Sequence, residues 1–289
     1  MTVESYRAAR ESGGRADALV SPAHADERLR GYSRAGDWLA EFRAFVATRE
    51  AGRGDPMPHF SMIRLPNDHT NGVSRGRPTA QFYVADNDYA LGRIVEAVSS
   101  SPYWKDTAIF VVEDDAQDGP DHVDCHRSVA LVISAYNRPG ALVREFHNTV
   151  SFIRTMELLL GLQPMNLLDA TATPVDIFRS EADPRPYRAV LPDLAPDNLL
   201  TPAARDAATL YWMRRTAEQD TEHADMADPR VLNEAIWFSA RGASSPMPEP
   251  ARLPVFDAMR LGLRAEAEDE GDEEDDSRRV EVARKRKKN

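Results

Sequence analysis

The sequence predicts an α/β protein: a mainly parallel sheet with helices on both faces, followed by a disordered C-terminal tail. Three observations carry this. The runs TAIFVVE (107–113) and SVALVISAY (128–136) are short, apolar and rich in β-branched residues, as buried strands are. A third apolar run, HFSMIRL (59–65), is stopped by Pro66 and reads as another strand. Between it and TAIFVVE lies a long amphipathic stretch from residue 80 to 101, and strand, long helix, strand is the order of a right-handed parallel crossover.

The remaining elements follow from periodicity and end signals. In DWLAEFRAFVATRE (37–50), Trp38, Leu39, Phe42, Phe45 and Val46 share one face at helical spacing, with Asp37 as the expected cap. The 80–101 helix carries Val84, Leu91, Ile94, Val95 and Val98. NTVSFIRTMELLLGLQP (148–164) is a helix capped at Asn148 or Thr149, with Gly161 and then Pro164 as its stop. From about 180 the chain becomes Pro-rich, and two helices are expected near 203–219 and 229–241. The domain organisation is a loose leader over 1–35, an α/β domain over 36–243, and a tail over 244–289. That tail holds the acidic block EAEDEGDEED and then the basic run RKRKK.

Composition narrows the function. The 289 residues hold 47 Asp and Glu against 36 Lys and Arg, a net charge of -11. Such a field disfavours nucleic acid and anionic membranes as partners, and the basic run sits beside an acidic block that competes for it. No apolar run reaches the length of a membrane span, and the N-terminal residues show no secretory pattern. The expectation is a cytoplasmic protein. A single cysteine, Cys125, excludes an internal disulfide and reads as a small buried residue.

The chemistry concentrates in two places. IFVVEDDAQDGPDHVDCHRS (109–128) runs from a strand into a dense set of acids and imidazoles: Glu113, Asp114, Asp115, Asp121, His122 and His126. LPNDHTNG (65–72) places Asp68, His69 and Thr70 just after the HFSMIRL run. In an open parallel sheet, ligands bind beyond the carboxyl ends of the strands, so both clusters are expected on one rim. Adjacent carboxylates repel unless a cation neutralises them. Asp with His fits Zn, Mn or Fe, and Asp alone fits Mg or Ca. Asp86 and Asp88 are expected to support the site from the neighbouring helix.

These motifs, in this order, resemble the phosphoesterase family that contains phospholipase C-type and acid-phosphatase-type enzymes of the alkaline phosphatase superfamily. The likeness is to bacterial members often fused behind a β-propeller, whose relatives are often extracytoplasmic. It covers roughly 36–180 and rests on LPNDHTNG, ADNDYALG, DDAQDGPDHV, DCHRS and NTVSFIRTMELLLGL. DDAQDGPDHV is similar to the family's Asp-Glu-x-Gly-Gly-x-x-Asp-His-Val element. The resemblance implies Asp114, Asp115 and Asp68 as ligands of a divalent metal ion. It implies His69, His122 and His126 as catalytic imidazoles, and Asp121 and Thr70 as substrate contacts. The implied substrate is a phosphate mono- or diester.

The chain departs from the family pattern as well. Nothing before residue 36 resembles the family's Glu-Asn metal-ligand pair or its Ser/Thr nucleophile, so the likeness is to the C-terminal half alone. A half-domain of this kind exposes a sheet edge and apolar surface, which favours an oligomer or a covering partner. The alternative reading is therefore a catalytically inactive fragment that serves as a binding module.

Overall fold

The computed structural model describes residue 7 and residues 34–65, 72–113, 129–138, 140–195, 199–201, 206–220 and 226–247. The chain divides into a larger unit, residues 1–141 and 147–247, and a smaller one, residues 142–146 and 248–289. Only 142–146 of the smaller unit is described, and it is irregular. The larger unit contains helices α1 (Arg34–Glu50), α2 (Ala80–Ser99), α3 (Thr149–Leu160), α4 (Leu167–Thr171), α5 (Ala207–Ala217) and α6 (Pro229–Arg241). It also contains a short 3-10 turn (Trp104–Asp106) and strands β1 (Ala108–Val112) and β2 (Ala130–Ser134).

The helix ends are set by local chemistry. The Thr79 hydroxyl accepts the Phe82 N–H at 3.1 Å and starts α2. Asn148 and Ser151 form a reciprocal capping box at the start of α3. Gly161 ends α3 at φ 67°, a left-handed conformation in which glycine lacks the side-chain clash of other residues. Asp228 accepts the N–H groups of Arg230 and Val231, with Pro229 at the first position of α6, where its missing N–H loses nothing. Asp37 lies within the first turn of α1, which begins three residues earlier than its pattern predicts.

The apolar faces of α1 and α2 meet in the main core. Phe42 and Val98 are almost fully buried there, with Ile94, Tyr103 and Trp104 around them. The rings of Trp38 and Phe42 stack at 4.9 Å, and Phe42 tilts against Tyr103 at 5.7 Å. Arg49 lies over the Tyr103 ring at 4.4 Å and donates to Asp106 at 2.8 Å. The Tyr103 hydroxyl in turn donates to Asp55 at 2.8 Å.

β1 and β2 pair antiparallel, with Ala108 opposite Ser134 and Val112 opposite Ala130. Successive residues of a strand point to opposite faces. Ile109 and Ile133 pack against the α1–α2 core. Phe110, on the other face, meets Phe152 of α3 edge-on at 5.4 Å. The hairpin is thus held between two helical layers. Beyond β2 the chain is caught again, by Arg179 N–H to Tyr136 C=O at 2.8 Å and Asp183 N–H to Ala135 C=O at 2.7 Å.

Two expectations are corrected here. Residues 59–65 form no strand: Ile63 and Leu65 pack against the core, while Met62 stays 85% exposed and His59 lies in solvent. Their alternation anchors the segment, but no neighbouring backbone among the described residues pairs with it, and a ladder needs a partner. β1 and β2 also run antiparallel rather than parallel. The crossover argument joined 59–65 to β1 through α2, and without the first strand no parallel pair arises. The described residues carry this one two-stranded ladder.

Asp183 gives this fold a pH signature. The Arg185 side chain, then its backbone N–H, then the charge of Arg179, hold the Asp183 carboxyl down from 3.8 to about 2. A depressed folded value contributes stability above the unfolded value, and that contribution disappears as pH falls through the folded one. Urea midpoints of the wild type should therefore drop between pH 4 and pH 2 more steeply than those of Asp183→Asn. Parallel curves for the two proteins would contradict this role.

Candidate functional site

The two residues that flank the acidic segment, Glu113 and Val129, are hydrogen-bonded to each other. The Glu113 N–H donates to the Val129 carbonyl at 3.1 Å, one step past the end of the ladder. Residues 114–128 therefore leave and return at one point, at the open end of β1 and β2. Within those fifteen positions the sequence places five Asp, two His, one Arg and Cys125. Neighbouring carboxylates repel, and a bound cation relieves that repulsion.

The second segment is anchored differently. Leu65 packs against the main core on one side of residues 66–71. On the other side, Gly72 takes φ 56°, and Val73 is 3% exposed. The Val73 N–H donates to the Thr216 hydroxyl of α5 at 3.3 Å. A Cβ added at Gly72 would lie 3.0 Å from both Thr216 Oγ1 and Cγ2. Glycine is required here twice over, by the backbone conformation and by the approach of α5.

All eight sequence-predicted site residues lie outside the described residues: Asp68, His69 and Thr70 in 66–71, and Asp114, Asp115, Asp121, His122 and His126 in 114–128. What is described is the framework at both ends of each segment. Among the described residues, no group of three or more His, Cys, Asp or Glu is placed to hold a metal ion. Asp86, expected to back the site, is buried in α2, while Asp88 is exposed.

The sequence did not flag two further features. Asp169 is 1% exposed and Glu157 4% exposed, at the corner between α3 and α4. Burial pushes the Asp169 carboxyl up. The N–H groups of Asn166 and Met165, the Glu157 side chain and the Ala170 N–H outweigh this and hold it below the usual carboxylate range. An open cleft of about 450 Å³ runs between α1, the C-terminal half of α2 and residues 186–188. Arg43, Arg93 and Arg188 line it together with Glu50 and Glu96, so its charge is nearly balanced.

No helix among the described residues is long and apolar enough to cross a membrane. No family model matches the chain, and no curated protein and no solved structure is significantly similar to it.

The Gly72 anchor can be probed directly. Gly72→Ala should lower unfolding stability by about 1–2 kcal/mol from the left-handed backbone alone, and by more once the methyl meets Thr216. Urea unfolding measures this. A variant as stable as the wild type would show that residues 72–73 are not held against α5.

Proposed function

We propose that the chain is a phosphoesterase-type domain that binds a divalent metal ion and acts on phosphate mono- or diesters. The observation that supports this most strongly is the sequence of 114–128, whose acids and imidazoles resemble the family element, together with the hydrogen bond between the flanking Glu113 and Val129. The donor set fits a divalent ion: carboxylates for charge, imidazoles for a borderline metal. Asp114, Asp115 and Asp68 would hold it. In this reading the β1–β2 ladder is part of a larger α/β sheet completed by strands that the described residues do not supply.

When bound, the metal would supply positive charge to the phosphoryl oxygens and lower the pKa of water. The chain's own residues do the rest. His122, beside Asp121, would donate a hydrogen bond or proton to a phosphoryl or leaving-group oxygen, and His69 would take up a proton from the attacking group. Thr70 would contact the ester. Turnover should be slow, because no Ser or Thr sits in a segment resembling the family's nucleophile element, and nucleophile and metal act as a unit in covalent phosphoryl transfer.

The second reading, a binding module without catalysis, is favoured by one observation. Seven large apolar residues between 158 and 168 stand exposed on a corner of the fold.

The test is calorimetric titration of Mn or Zn into the wild type and into Asp114→Asn/Asp115→Asn. The tail's acidic block is present in both proteins and cancels. At least tenfold weaker binding by the double variant is expected, with metal-dependent hydrolysis of an aryl phosphate lost alongside. Equal binding removes the metal site. Retained binding-site affinity in the wild type with no turnover under any metal favours the binding module.

A further inference from the structure

We propose that the corner between α3 and α4 is a self-association surface through which two copies of the chain pack across a two-fold axis. The residues 158–168 read LLLGLQPMNLL, with no charged side chain in a chain of net charge -11. Leu158, Leu159, Leu160, Leu162, Met165, Leu167 and Leu168 are each 40–77% exposed.

The corner is built, and its polarity is inverted. Asp169 accepts the N–H groups of Met165, Asn166 and Ala170, each at 2.9 Å. Glu157 accepts Met165 N–H at 3.3 Å and the Arg154 guanidinium at 3.2 Å. The Leu162 N–H returns to the Glu157 carbonyl at 2.8 Å. Two carboxylates are therefore spent inside the corner, fixing its turn, while the leucines are turned outward. Buried acids beneath an exposed apolar surface reverse the usual arrangement of a protein exterior.

The size of the surface and the charge of the chain select the occupant. The seven residues, spread around the end of α3, the turn and α4, expose on the order of 700 Å² in total, against the roughly 800 Å² that each partner of a stable interface buries. Two copies repel each other through their net charge wherever charged faces meet. A charge-free patch facing itself is the contact that brings no like charges together, and an isologous dimer pairs that same patch on both subunits.

Sedimentation velocity of the full chain over a concentration series tests this. The wild type should move from monomer to dimer below about 100 µM. Leu159→Glu and Leu167→Glu, which place facing acids in the interface, should each weaken the dimer at least a hundredfold while circular dichroism and thermal midpoint stay those of the wild type. Val190→Glu, at a residue 75% exposed elsewhere, should leave the dimer intact. A wild type that stays monomeric throughout overturns the proposal. So does a dimer that survives both patch variants. A monomer whose residues 158–168 resist hydroxyl-radical footprinting would also overturn it, and would assign the surface to the chain's own remaining residues.

Discussion

A two-stranded hairpin is marginal in water, and this one is half-buried, with one face against the α1–α2 core and the other touched by α3. Ile109 and Ile133 are taken up by the α1–α2 core, and Phe110 is closed off by Phe152. Everything of interest hangs from that sandwich. The acidic loop leaves from its open end, through the Glu113–Val129 hydrogen bond. Helix α3, which covers its outer face, continues directly into the leucine-rich corner.

Local chemistry was well written in the sequence. Asn148 and Gly161 bound α3 as their residue types dictate, and Asp228 with Pro229 starts α6. Strand composition was equally legible for β1 and β2. Pairing direction was not. A connection of more than a dozen residues between two strands suits a crossover better than a hairpin, whose loops usually run 2–5 residues. Here the connection is the acidic segment itself, the fifteen residues between Glu113 and Val129. The apolar alternation of 59–65 likewise states that Ile63 and Leu65 turn inward, but not whether any backbone lies alongside.

The candidate site was legible as chemistry and not as geometry. Five Asp and two His in fifteen residues are a donor set that suits a divalent cation. Which of them converge depends on how 66–71 and 114–128 lie, and sequence spacing does not settle that. The Asp169–Glu157 corner was hidden for the opposite reason. Nothing in the sequence marks Asp169, and only the fold shows that it is 1% exposed and gathers three N–H groups. The helix end at Gly161 was legible, but sequence periodicity cannot say which side of a helix another element covers, and so did not show that the leucines around it stand exposed.

The central claim is that the two acidic segments form one metal site, distinct from the acidic block of the tail. Paramagnetic broadening by sub-stoichiometric Mn in an amide-resolved NMR spectrum of the full chain addresses it most directly. The account predicts that resonances of 66–71 and 114–128 broaden together at the same Mn level, before those of Glu266–Asp275. Broadening confined to the tail, or to one of the two segments, would contradict it.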